Sequence, residues 1–143
     1  MHQAVGTDIV AVPRIEALIR ASGASFLNRW FTAREIDYCS GKAVPSRHFA
    51  ARFAAKEAVL KALPVEWDGP LPWRSIEIVS GPRGAPSVRL CDALLAAATS
   101  AGVGEISVSL SHCDEYATAT ALVAATPASA PGQEGVPGAE DAR

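Results

Sequence analysis

Only three of the 143 residues are cysteine (Cys39, Cys91, Cys113), an odd and widely spaced set without a C-x-x-C pair. Neither a disulfide framework nor a cysteine-bound zinc site is thereby supported. Aromatic residues are scarce as well: the nine present form no stripe of stacking positions. A chain with net charge −2 and so few aromatics lacks the footprint of a nucleic-acid binder. No apolar run approaches the roughly 20 residues a membrane-spanning helix needs. Met1-His2-Gln3-Ala4 opens without a basic-then-apolar signal segment. These absences lead to the expectation of a cytoplasmic protein with reduced thiols and no membrane partner. Walker loops, G-x-G-x-x-G, H-E-x-x-H and EF-hand patterns are missing too.

What is present describes one globular domain, 49% apolar and 20% charged. Charge is distributed unevenly along it. Residues 14–61 carry nine Lys/Arg against four Asp/Glu, whereas residues 62–125 carry three against seven. The basic half suits an anionic partner as well as it suits solvated helix faces. Residues 126–143 hold three Pro, three Gly and four Ala with almost no bulky apolar side chain. Such a segment buries too little surface to offset chain entropy, so the domain is expected over 1–125 with a disordered tail over 126–143.

Within the domain the pattern alternates. Val5–Val10 reads as a strand, Pro13–Ala21 as a helix stopped by Gly23, and Thr32-Ala33-Arg34-Glu35 as a capping box opening a short helix to about Cys39. Ser46 can cap the longest helix, Arg47–Leu63, which Pro64 ends. A Pro- and Trp-rich loop follows, then strands over Ser75–Val79 and Ser87–Leu90 around the turn at Gly81–Gly84. Asp92–Ala101 reads as a helix, and Glu105–Ser111 and Tyr116–Ala124 as strands. The fold class is α+β, helices packed on an antiparallel sheet.

Four features carry potential chemistry. Asp8 stands mid-strand among Val5, Ile9 and Val10, where a carboxylate is costly unless paired, solvated or bound to metal. Glu57 and Lys61 sit at i and i+4 and share a helix face with Phe53, either as a surface ion pair or as part of a site. Alanines at 50, 51, 54, 55, 58 and 62 leave that helix with low relief, open to close approach by a subunit or an extended ligand. The run Ser107-Val108-Ser109-Leu110-Ser111-His112 lacks the elbow and partners of a hydrolase triad. It reads more simply as a small-residue sheet face against Ala117, Ala119 and Ala121, with His112 free to meet a phosphate or a carbonyl. Arg14 and Arg20, with Arg29 and Arg34 beyond, make either an acidic-protein docking edge or a solvated face.

Gly6-Thr7-Asp8-Ile9-Val10 with Arg14-Ile15 resembles the opening motif of the holo-acyl-carrier-protein synthases, the small 4′-phosphopantetheinyl transferases. Arg52-Phe53-Ala54-Ala55-Lys56-Glu57-Ala58, continued by Lys61-Ala62-Leu63, resembles that family's second and most specific motif. Phe31-Thr32 with Glu35 and Cys39, Ile76-Glu77-Ile78, Gly84-Ala85-Pro86 and Ser109-Leu110-Ser111-His112 fall in the expected order, so the likeness runs from Val5 to Val123.

The resemblance implies transfer of 4′-phosphopantetheine from coenzyme A to a serine of an acyl carrier protein, releasing adenosine 3′,5′-bisphosphate. It implies Asp8 and Glu57 as magnesium ligands and Lys61 on the coenzyme A pyrophosphate. Arg52, with Arg47, would hold the 3′-phosphate, and His112 would lie near the phosphates. Gly84 and Pro86 would come from a neighbouring subunit beside the adenine. Arg14 and Arg20 would meet the carrier protein, and the assembly would be a homotrimer with sites between subunits. A metal of this kind needs only one or two carboxylates alongside phosphate oxygens and water. Either Glu57 or a water takes the serine proton. Ala11, Pro13, Ala51 and Pro64 depart from the residues common in that family, without removing a metal ligand. A magnesium-dependent phosphodiesterase or pyrophosphatase, or a non-enzymatic carrier-binding module, are the alternatives.

Overall fold

A computed structural model describes residues 3–128, so most of the expected tail, from residue 129 onward, lies outside the described residues. Strand β1 (Ala4–Ala11) runs into α1 (Val12–Ser22), where a proline in the first turn supplies the preset φ of a helix start. Gly23 ends α1 at φ 50° and donates its N–H to the Ile19 carbonyl. Next come α2 (Ala24–Trp30), α3 (Ala33–Ser40) and α4 (Pro45–Ala62). A single 3-10 turn at Trp73–Ser75 then leads to β2 (Ile76–Ser80) and β3 (Pro86–Leu90). The chain closes with α5 (Asp92–Ser100), β4 (Val103–His112) and β5 (Tyr116–Ala125).

The strands form two antiparallel sheets. One has the order β1-β5-β4, bringing the N-terminal strand beside the last, with Asp8 opposite Ala119. The other is the β2–β3 hairpin alone. Helix α4 lies across the three-stranded sheet, and its alanines at 50, 51, 54, 55, 58 and 62 are buried. They face Ala117, Ala119, Ala121 and Val123, also buried. Low relief on α4 therefore serves the chain's own sheet, and not the subunit or extended ligand anticipated from sequence. Gly6 shows how tight the fit is: a Cβ there would stand 2.0 Å from the Ala58 carbonyl oxygen.

Strand alternation then decides sidedness. Gly6, Asp8 and Val10 turn toward α4, while Val5 and Ile9 stay 62% and 66% exposed on the open face. Ser107, Ser109 and Ser111 lie on the open face as well, paired across to Leu122, Thr120 and Thr118. The expectation that they pack against Ala117, Ala119 and Ala121 is corrected by register, since a single-residue offset moves a side chain to the other face.

Two element boundaries differ for local reasons. Helix α4 begins at Pro45, whose missing N–H costs nothing in a first turn, with no side-chain cap from Ser46. It stops at Ala62 because Pro64 drives Leu63 into an extended conformation. Among the described residues, no helix is long and apolar enough to cross a membrane.

Candidate active site

The close approach of β1 to α4 sets Asp8 beside two residues of the helix. Lys61 Nζ lies 3.1 Å from Asp8 Oδ1 and donates to the Thr7 carbonyl at 3.0 Å. The Asp8 side chain is only 17% exposed. Glu57 makes no ion pair among the described residues, so the i,i+4 bridge to Lys61 is not formed. Burial raises the Glu57 pKa, and the Asp8 charge raises it further, against the lowering pull of Lys61 and Arg14. Two neighbouring carboxylates are thus flanked by two cations. A divalent ion would relieve the repulsion that the lone pair of carboxylates carries.

Arg14 faces this cluster, its guanidinium 5.9 Å from the Phe53 ring centre. It also edges a cavity of about 290 Å³ floored by Phe26, Trp30 and Phe53. Arg20, on the same helix, instead reaches Glu16 at 3.1 Å in the open.

A second cluster surrounds Arg52, which is 4% exposed. Its Nη2 donates to Ser80 Oγ at 2.8 Å and its guanidinium stacks 4.0 Å over the Tyr38 ring. Its Nε is buried without a partner among the described residues. Arg52, Ser80, Gly84, Pro86, His48 and His112 line one cavity of about 210 Å³ in which no carboxylate takes part. Gly84 and Pro86 therefore sit with Arg52 in the same chain, and Asp8, Glu57 and Lys61 form a separate group. Arg47 turns to Asp114 at 2.7 Å and ties α4 to the β4–β5 turn. His48 and His112 have ring centres 5.2 Å apart. Burial lowers the His48 pKa, and His112, Lys42, Arg52 and Arg47 lower it further. Hydrogen bonding with Ser80, reinforced by Arg52 and Lys42, lowers the Tyr38 pKa against its burial. A pocket holding one buried guanidinium with an orphaned N–H, two imidazoles and no carboxylate is suited to a phosphate.

Sequence reasoning missed Tyr38, His48 and Ser80 around Arg52, and it missed Lys56. That lysine is fully buried and pairs with buried Glu35 at 2.7 Å. Its only sequence signal is the i,i+4 spacing from Arg52. Cys39 is inert, its thiol pushed up to about 12 by burial.

The chain as a whole, which carries both the acidic pair on β1 and α4 and the pocket walled by the β2–β3 hairpin, falls in one superfamily. The profile of the 4′-phosphopantetheinyl transferase superfamily matches residues 4–121, and the chain belongs to it. Among particular relatives, the holo-[acyl-carrier-protein] synthase of Dehalococcoides mccartyi is 48% identical over 114 residues, covering 80% of this chain and 92% of the relative. That of Protochlamydia amoebophila is 40% identical over 122 residues, covering 85% and 98%. In three dimensions the chain is similar to the Neisseria meningitidis holo-[acyl-carrier-protein] synthase, with TM-score 0.76, 30% identity, and coverage of 85% and 97%. It is similar as well to the Helicobacter pylori enzyme in complex with coenzyme A, with TM-score 0.73, 32% identity, and coverage of 84% and 99%.

Proposed function

We propose that the chain is a holo-[acyl-carrier-protein] synthase. It transfers 4′-phosphopantetheine from coenzyme A to a serine hydroxyl of an acyl carrier protein. The serine oxygen forms a bond to the phosphorus bearing the pantetheine arm. The bond to adenosine 3′,5′-bisphosphate breaks and the serine proton is lost. The observation that carries this reading is the neighbouring pair Asp8 and Glu57, with Lys61 on Asp8, and a phosphate-suited pocket along the same helix.

The donor set fits magnesium: two carboxylates leave room for phosphate oxygens and water, and among the described residues no cluster of three or more His, Cys, Asp or Glu competes for another metal. Asp8 and Glu57 would hold the ion, which when bound neutralises charge on the transferring phosphoryl group. Lys61 carries the pyrophosphate, and Arg52 the 3′-phosphate with His112 alongside. Gly84 and Pro86 receive the adenine. Holding the phosphates fixed while the hydroxyl approaches supplies most of what phosphoryl transfer asks of a protein.

Two features support a homotrimer as the assembly. Glu57 lies five positions after Arg52, about 140° around α4, so one extended ligand cannot easily reach both on a single chain. The open sheet face, with Val5 and Ile9 exposed, offers an apolar surface for a neighbour. The acidic pair of one subunit then meets the cationic pocket of the next. Arg14 and Arg20 present α1 to the acidic carrier protein of fatty-acid or polyketide synthesis, and the setting is the cytoplasm.

Mass spectrometry of an apo carrier protein incubated with coenzyme A, magnesium and this protein tests the reading. A mass gain of one phosphopantetheine is expected. Hydrolysis of coenzyme A without that gain, or a plain complex, would refute transfer.

A further inference from the structure

The buried ion pair between α3 and α4 touches no substrate site, yet three of its bonds lead to one wall of the cationic pocket. Lys56 spends its three N–H donors on Glu35 Oε1, on the Trp73 carbonyl at 2.9 Å, and on the Ile76 carbonyl. Glu35 Oε1 also accepts from the Thr32 N–H at 2.9 Å, and Glu35 Oε2 accepts from the Ile78 N–H at 3.1 Å. Both side chains are fully buried. One pair therefore joins α3, α4, the turn before β2 and β2 itself.

The segment so held is the β2–β3 hairpin, which shares no ladder with the main sheet. A two-stranded hairpin alone is marginal in water, so its placement depends on what grips it. Two residues beyond Ile78 stands Ser80, which accepts from Arg52, and the turn beyond carries Gly84 toward Pro86. Arg52 and Lys56 are one helical turn apart on α4 and grip β2 in succession. A buried ion pair is a poor source of net stability, because desolvation offsets most of the attraction. Its directed bonds are what it offers.

We propose that Glu35 and Lys56 are positioning residues for nucleotide binding: they set the hairpin that walls the Arg52 pocket, and so govern affinity for the adenosine 3′,5′-bisphosphate moiety without touching it. This rests on the coenzyme A reading of that pocket. Affinity and clasp are then linked reciprocally, since whatever the clasp adds to nucleotide binding the nucleotide returns to the clasp.

The test uses Glu35→Gln and Lys56→Met, with Arg52→Ala for comparison. Gln keeps the shape of Glu35 but replaces one acceptor with a donor, facing an N–H or the ammonium. Expected are an approximately tenfold rise in KM for coenzyme A and in Kd for adenosine 3′,5′-bisphosphate, with KM for the carrier protein unchanged and kcat at saturating coenzyme A within twofold. In the unmodified protein, saturating adenosine 3′,5′-bisphosphate should slow hydrogen exchange at the Ile78 amide, a readout that holds even if both variants fail to fold. A lowered melting temperature with unchanged nucleotide affinity, or exchange at Ile78 indifferent to nucleotide, overturns the proposal. If Arg52→Ala also leaves coenzyme A affinity untouched, the pocket reading falls and the clasp's role with it. If Arg52→Ala weakens coenzyme A while Glu35→Gln does not, only the clasp is refuted.

Discussion

Replacing Gly6 by alanine adds one methyl group where β1 and α4 leave no room for it. The new Cβ would stand 2.0 Å from the Ala58 carbonyl oxygen, and real contacts essentially never fall under 3.0 Å. Because the obstacle is backbone, no side chain can rotate out of the way. Strand and helix must separate by at least the difference, about 1 Å. Overpacking of this kind costs about 3 kcal/mol, at the upper end of the usual range. For a domain of this size that is a fall of roughly 12 °C in melting temperature. The displacement also has a direction. Glu57 adjoins Ala58 on α4, and Asp8 lies two residues along β1 from Gly6, so the separation opens the gap between the two carboxylates. A misplacement of about 1 Å costs on the order of 100-fold in rate. Initial rates of holo-carrier formation at saturating substrates, with a thermal melt by circular dichroism, read both effects. A Gly6→Ala protein with unchanged kcat would show that the contact does not set the geometry of the acidic pair.

Three further outcomes are expected. Asp8→Asn and Glu57→Gln should each lower transfer at least 100-fold; Glu57→Gln should leave the metal-free melting temperature equal or slightly higher, since it relieves a like-charge contact without breaking an ion pair, whereas Asp8→Asn also weakens the Lys61 contact and should gain nothing; magnesium should raise the melting temperature of the unmodified protein and not of the variants, and activity restored by excess magnesium would refute the assignment. Arg14→Ala should raise KM for the carrier protein several-fold, about 1 kcal/mol, with the effect fading as salt rises and KM for coenzyme A unmoved, whereas Arg20→Ala should do less because Arg20 already pairs with Glu16; steady-state kinetics at two ionic strengths decide it. His48 is held below the ordinary imidazole value by burial and by neighbouring cations, so the unfolded chain binds more protons just under about pH 6.5 and stability rises with pH through that window. Melts between pH 5 and 7 should show this slope in the unmodified protein and a flatter one in His48→Gln, and identical slopes would show that His48 is not the group involved.

Local signals explain what could be read directly from sequence. The Thr32/Glu35 capping box forms as its spacing dictates, and Pro64 ends α4 one residue early through its effect on Leu63. Asp8 stood out because a carboxylate among β-branched residues needs a partner, and it has one in Lys61. Helix α2 was not legible: seven residues between Gly23 and Phe31 are too short for periodicity, and it is the stacking of Phe26 and Trp30 on Phe53 that holds them. Lys56 was hidden for a different reason. Its partners Glu35, Trp73 and Ile76 are 17 to 21 residues away, and nothing in a helical heptad distinguishes a lysine that turns inward. The division of the strands into two sheets was equally opaque, because pairing of β1 with β5 depends on contacts spanning the whole domain.

The aromatic stack beneath α1 gives the molecule a built-in optical reporter. Trp30 lies 4.0 Å from Phe53 and 4.2 Å from Trp73, with the two indoles only 14° from parallel. Indoles this close and this well aligned share their excited states, so their near-ultraviolet dichroism and emission depend on the spacing between them. Arg14 sits over the far ring of the stack, and Trp73 offers its carbonyl to Lys56. An arrival on α1 and a shift at the root of the hairpin would therefore both disturb the same chromophore pair. The remaining tryptophan, Trp67, donates to the Pro70 carbonyl in the loop and stands as an internal reference within the same spectrum.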